Sequence, residues 1–238
     1  MSNGFTLGRL AGIPIRLRLS FLLLLGLVAL TAGGMGGVFL VLLTFGSVLA
    51  HEMGHALVAR HLDVRIAAID LHFLGGAALM VDPPRTARDE IAIAIAGPIV
   101  SLALAGVALG LGGATGITLL SHLGWVNLIL GVFNLIPALP MDGGRVLRAV
   151  LAAKRGYARA TETAVKVSHV FAVIFVVAAL WYGYLQLALV AGLVWLMANA
   201  ERRMIPHGGY RDEPEVEILE PDPYGFGRPR VIRSYRGW

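Results

Sequence analysis

Two histidines and a glutamate stand in a metal-binding pattern within an apolar stretch, at His51, Glu52 and His55. On an α-helix, positions i and i+4 lie on one face about a turn apart, so both imidazoles can offer a nitrogen to one ion. Glu52 lies close enough to take a proton from a water molecule bound to that ion. Because ionisable side chains are costly in an apolar helix and usually functional there, these residues predict a hydrolytic zinc site.

A catalytic zinc ion needs a third protein ligand and keeps a fourth position for water. His61 falls where the extended pattern H-E-x-x-H-x-x-G-x-x-H has its third histidine, but Val58 replaces the glycine that would turn the chain. On a continuous helix His61 lies about 9 Å beyond His55 along the axis and on another face. We therefore interpret His61 as an interfacial residue.

Asp142 is the better candidate for the third ligand. It is the only acidic residue in 91–161, and it follows Pro137 and Pro140 and precedes two glycines. Prolines interrupt a helix and glycines allow tight turns, so the chain can fold back and present this carboxylate. An N-cap of a helix that starts near Gly144 explains Asp142 equally well.

The composition places most of the chain in lipid. The sequence is 57% hydrophobic and 15% charged, with a mean hydropathy of +0.74, whereas a soluble domain has about a quarter charged residues. A net charge of +5 on such a chain favours a membrane protein with a basic cytoplasmic side over a nucleic-acid binder. The absence of cysteine excludes disulfides, thiol nucleophiles and cysteine-ligated zinc.

Apolar segments long enough to cross a membrane recur along the chain. A transmembrane helix needs about 20 residues, or somewhat fewer where flanking side chains reach to the membrane surface. We expect six transmembrane helices, at about 19–32, 38–59, 91–111, 117–135, 164–182 and 185–200. Nineteen of the 20 basic residues fall in the termini and in the second and fourth joints, and Lys166 lies near the start of the fifth segment; the other three joints contain none. By the positive-inside rule both termini are cytoplasmic, and the expected location is a prokaryotic cell (inner) membrane.

In two segments apolar and polar residues alternate with a period of two, which predicts strands at the cytoplasmic face of the membrane. They are 13–19 and 64–81, and the second is a hairpin that breaks at Gly75 and Gly76. The predicted fold class is an all-α polytopic membrane protein with about six transmembrane helices and a small membrane-associated β-sheet. Residues 1–200 form the membrane domain, and 201–238, rich in proline, glycine and charge, form a flexible cytoplasmic tail.

The histidine motif and the later aspartate together resemble the site-2 protease family of intramembrane zinc metalloproteases. Residues 134–143 match the N-x-x-P…D-G motif of that family, with Met141 where leucine is usual, and 97–101 resemble its G-x-x-x-N/S/G element. The resemblance covers about residues 9–200. The form of the family that the chain resembles is a compact one without a PDZ or CBS domain.

The resemblance implies one zinc ion per chain held by His51, His55 and Asp142, with Glu52 as the general base. It implies hydrolysis of peptide bonds in or near the transmembrane segments of membrane-protein substrates, as in regulated intramembrane proteolysis. The partners are then a transmembrane protein substrate and the lipid bilayer, with no nucleic acid, and the sequence names no regulatory membrane protein. Asn134 is either a donor to the developing oxyanion or a helix-packing amide.

Two other functions are alternatives: a non-catalytic membrane scaffold of the same fold, and a metal or proton transporter. The intact Glu52 argues against the first, and the lack of paired broken helices argues against the second.

The remaining small and imidazole side chains receive structural interpretations. Gly97 and Ser101 are four apart and form a small-residue face for helix packing. Four histidines lack ligand spacing and are interpreted as interfacial or solvent-facing: His72, His122, His169 and His207.

The charge distribution predicts which positions are reached from each side of the membrane. Cysteines introduced by Arg60→Cys, Arg155→Cys and Gly208→Cys should react with a membrane-impermeant maleimide only from the cytoplasm, and Gly113→Cys only from outside. Because the native chain has no cysteine, each labelled variant reports one position. Labelling of position 155 from outside would contradict the six-span topology.

Overall fold

Helices make up most of the protein. The computed structural model describes residues 4–31, 34–73, 75–205, 209–210, 216–220 and 230–235. Seven helices lie in this part of the chain: α1 (Leu19–Thr31), α2 (Gly34–His61), α3 (Ala87–Thr115), α4 (Thr118–Asn134), α5 (Asp142–Arg155), α6 (Tyr157–Tyr182) and α7 (Leu185–Met204). It also contains six strands: β1 (Gly4–Leu10), β2 (Ile13–Arg18), β3 (Ile66–His72), β4 (Gly75–Met80), β5 (Val216–Glu220) and β6 (Arg230–Tyr235).

Each apolar segment predicted from the sequence overlaps a helix in the described part of the chain. By length and composition, α2, α3 and α6 can cross a membrane, and α1 and α4 are apolar but shorter. α6 begins at Tyr157 rather than near residue 164, because its first turns are polar and hydropathy does not detect them. α5 separates the fourth and fifth segments; it has charged residues along its length, and its buried face carries Asp142 and Arg148 beside glycine and alanine. The mostly helical fold with a small sheet is as predicted.

The small sheet consists of β1 to β4 in chain order. β1–β2 and β3–β4 are antiparallel hairpins, and β2 pairs with β3 in parallel, with Ile15 opposite Ile69. Buried side chains of β2 and β3 pack against Phe45 and Met53 of α2, which covers this face of the sheet. β1 was not predicted, because side chains such as Phe5 are exposed and its sequence shows no buried face.

α2 and α3 cross at two glycines. A Cβ atom on Gly54 would lie 2.8 Å from the carbonyl oxygen of Ala96 and 2.9 Å from a methyl group of Val100. A Cβ atom on Gly97 would overlap the His55 imidazole and lie 2.7 Å from His51 Nε2. Small residues let helix backbones approach closely, so these two glycines permit α3 to lie directly against the histidine-bearing face of α2.

A buried ion network joins α5 to α3 and α7. Arg148 donates from Nε and Nη2 to Glu90 Oε1, and from Nη1 to Glu201 Oε1 at 2.6 Å. Tyr210 donates its hydroxyl to Glu90 Oε2 at 2.6 Å. Burial and the Glu90 carboxylate raise the pKa of Tyr210 well above its usual range, so this hydroxyl keeps its proton. The network fixes α5, whose first residue is Asp142.

The predicted tail is described only in part. α7 continues to Met204, and β5 pairs with β6 in antiparallel fashion. The rest of the tail, including His207 and Gly208, lies outside the described residues. The division into 1–200 and 201–238 stays a prediction.

Candidate metal centre

Three ligand atoms converge on one point between α2 and α5. His51 Nε2 lies 3.1 Å from His55 Nε2 and 3.1 Å from Asp142 Oδ2, and His55 Nε2 lies 3.2 Å from the same oxygen. All three side chains are buried. Tetrahedral zinc with bonds of about 2.0–2.1 Å holds its ligand atoms about 3.3 Å apart, so these residues fit three corners of the tetrahedron.

α3 orients both imidazoles. His55 Nδ1 donates to the carbonyl oxygen of Ile93 at 2.6 Å, and His51 Nδ1 is hydrogen-bonded to Ser101 Oγ at 2.9 Å. A carbonyl oxygen only accepts hydrogen bonds, so the ring proton of His55 lies on Nδ1 and Nε2 keeps its lone pair. Such outer contacts fix the tautomer and the ring orientation of metal-binding histidines.

The turn between α4 and α5 places Asp142. A Cβ atom on Gly143 would overlap the carbonyl oxygens of residues 135–136, and one on Gly144 would overlap the backbone of 138–139. Glycine therefore lets this turn lie against the first turn of α5. The backbone N–H of Leu139 donates to Ser168 Oγ of α6 at 2.7 Å, which anchors the turn from the other side.

Asp142 is the first residue of α5 and turns its carboxylate toward the imidazoles. Met141 occupies the N-cap position, so the alternative role of Asp142 as an N-cap does not hold. Burial alone would raise the pKa of Asp142, but the two imidazoles that face its carboxylate lower this pKa. The carboxylate is therefore ionised, as a metal ligand must be.

Glu52 lies beside the three ligand atoms and is held by strand β4. Its Oε2 accepts a hydrogen bond from the backbone N–H of Ala78 at 3.0 Å. A Cβ atom on Gly76 would lie 2.8 Å from Glu52 Cγ, so β4 packs directly against the glutamate. The other carboxylate oxygen of Glu52, Oε1, takes no part in this hydrogen bond with β4.

A cavity of about 540 Å³ opens beside the three ligand atoms. Glu52 and Asn134 line it, and Asn134 Nδ2 donates to the Leu130 carbonyl oxygen of its own helix at 3.0 Å. His72 also lines the cavity, so its interpretation as an interfacial or solvent-facing residue was incomplete. His61 is exposed at the end of α2 and is outside the three-residue cluster.

Ser101 and Gly97 do more than form the small-residue packing face predicted for them, because both also shape the histidine site. Ser101 binds His51, and Gly97 leaves the space that both imidazoles occupy. The G-x-x-x-S spacing could have indicated these roles, because residues four apart on α3 share the face that meets α2. The sequence does not reveal which helix they face.

Comparison with known proteins decides the family. Residues 38–116 and 113–177 match peptidase family M50. The chain belongs to this family. A zinc metalloprotease from Methanocaldococcus jannaschii is 36% identical over 232 residues, which are 94% of this chain and 68% of that protein. A protein from Synechocystis is 39% identical over 171 residues, 63% of this chain and 45% of that protein.

A solved structure agrees with the family assignment. The site-2 protease from Methanocaldococcus jannaschii matches with a TM-score of 0.67 and 36% identity, covering 92% of this chain and 100% of that chain. The resemblance to site-2 proteases is thus confirmed, and this chain is an intramembrane zinc metalloendopeptidase of family M50. His51, His55 and Asp142 form its candidate zinc site.

Gly97→Ala should lower zinc affinity by about tenfold or more, because its methyl group would displace both imidazoles. Gly106→Ala is the matched control on α3, since a Cβ atom there meets nothing within 4 Å. Metal analysis of the two purified variants after dialysis against a zinc buffer measures the difference. Wild-type zinc affinity in Gly97→Ala would show that the crossing does not shape the site.

Proposed function

We propose that this M50 peptidase hydrolyses peptide bonds in or near transmembrane segments of membrane-protein substrates, as in regulated intramembrane proteolysis. His51, His55 and Asp142 bind one zinc ion, and Glu52 is the general base. The observation that carries the proposal is the convergence of three buried ligand atoms beside Glu52, on a cavity of about 540 Å³.

The residues of the chain divide the chemistry among them. When bound, zinc activates a water molecule and polarises the scissile carbonyl. Glu52 accepts the proton of the attacking water through the oxygen that Ala78 does not hold, and then transfers it to the leaving amide nitrogen. Asn134 can donate to the developing oxyanion if its amide turns away from Leu130. Helix packing is its alternative role.

The proposed topology has six helices crossing a prokaryotic cell membrane, with both termini in the cytoplasm. The apolar helices and the one-sided distribution of basic residues support it. His51 precedes Arg60 by nine residues, so the metal site lies about 13 Å inward from the cytoplasmic end of α2. At that depth water must reach the site through a polar cavity.

We propose that the substrate is bound as an added strand at β4. A helical substrate must unwind before hydrolysis, and unwinding in lipid leaves polar backbone groups unpaired at several kcal/mol each. β4 is the outer strand of the sheet beyond β3, and Gly76, Ala77 and Ala78 line the cavity with Glu52. Such an edge can pair with the backbone of an extended peptide and compensate this cost.

Glu52→Gln should reduce cleavage by about 10²–10⁴-fold while zinc stays bound, because the base is lost and the ligands remain. Asp142→Asn should lower the zinc content itself, because an amide is a weaker ligand than a carboxylate. The measurement is metal analysis of each purified variant, together with cleavage of a transmembrane peptide in proteoliposomes. Loss of zinc in Glu52→Gln with full retention in Asp142→Asn would reverse the assignment.

Methylating single backbone nitrogens of the substrate near its scissile bond should slow cleavage at alternate positions only. Successive N–H groups of a strand point to opposite sides, so only every second one can pair with β4. Initial rates on a series of singly methylated peptides measure this. A uniform effect at every position would argue against strand addition.

A further inference from the structure

Two arginines one turn apart on α5 have different environments. Arg148 is buried, and its three nitrogens donate to Glu90 and Glu201. These ion pairs occupy the Arg148 guanidinium, which is therefore a structural group of the network described above.

Arg145 lines the cavity that also contains Glu52 and the three candidate zinc ligands. Its side chain is 22% exposed, and its Nε lies 3.9 Å from Glu90 Oε1, beyond hydrogen-bonding distance. Among the described residues, no hydrogen bond from the Arg145 guanidinium is found. Its donors are thus available to a ligand in the cavity, while Glu90 keeps the side chain in place electrostatically.

Apart from the proposed zinc site, the cavity gives a bound carboxylate few other cationic partners. Arg145 is the only lysine or arginine among the described residues that line it, and the wall contributed by α7 is apolar. Ionic contacts strengthen where water is scarce, and a guanidinium matches the two oxygens of a carboxylate. An acidic side chain of a peptide in the cavity would therefore be stabilised at Arg145 and repelled by Glu52.

We propose that Arg145 is a specificity-determining residue that binds an aspartate or glutamate side chain of the substrate. Arg145 follows Asp142 by one helical turn, about 4.5 Å along the axis, and an extended peptide advances about 3.3 Å per residue. The recognised acid thus lies within about three residues of the scissile bond. This inference rests on the proposed function, because it concerns a substrate in the same cavity.

The test is a scan of a cleavable transmembrane peptide with aspartate or its isostere asparagine at each of three positions on either side of the scissile bond. Wild-type protein in proteoliposomes should prefer aspartate at one position by roughly 10- to 100-fold in kcat/KM, the range for a charge-assisted hydrogen bond. In Arg145→Gln the ratio at that position should fall to about one. Arg145→Lys retains the charge and should keep part of the preference.

Lys154→Gln is the matched control, because Lys154 is an exposed cation on the same helix outside the cavity and should leave the aspartate preference intact. Cleavage by wild type without any charge preference would overturn this inference and leave the proposed function standing. Equal slowing of both peptides in Arg145→Gln, with the ratio preserved, would overturn it too, because Arg145 would then be structural. If wild type cleaves no transmembrane peptide, the proposed function itself fails.

Discussion

The two glycines at the crossing of α2 and α3 set the distance between these helices, and the metal centre depends on that distance. Gly54 and Gly97 let the α3 backbone approach until the Ile93 carbonyl and the Ser101 hydroxyl reach the far nitrogens of both imidazoles. The near nitrogens, Nε2 of both rings, then face the Asp142 carboxylate. A longer side chain at either crossing point would separate the ligands from the helix that orients them.

The third ligand depends on a second constraint, which is the position of α5. This helix is short and has charged residues along its length; Arg148 holds it against Glu90 of α3 and Glu201 of α7. Buried charges are tolerated only when they are paired and hydrogen-bonded, and here each carboxylate has a partner. Tyr210 adds a contact from the segment beyond α7, so the position of Asp142 is coupled to that segment through Glu90 and Arg148.

Local features of the sequence predicted much of this arrangement. The spacing of His51 and His55 places them on one face of a helix. The length of the apolar segments predicts where the helices lie, and the alternation of polar and apolar residues predicts β2 and the β3–β4 hairpin. Contacts distant in sequence could not be predicted in the same way. Ser101 meets His51 across the helix crossing, and β2 pairs with β3 in parallel, and no local pattern encodes either partner. His72 reaches the cavity only because the sheet folds against α2.

Zinc K-edge X-ray absorption on the purified holoprotein can decide whether His51, His55 and Asp142 hold a zinc ion, because it counts and identifies the ligands of the ion. We expect one zinc ion per chain with two imidazole nitrogens from His51 and His55 and two oxygens, one from Asp142 and one from water, at about 2.0–2.1 Å. A third imidazole in the coordination sphere, or a protein that binds no zinc, would contradict this expectation.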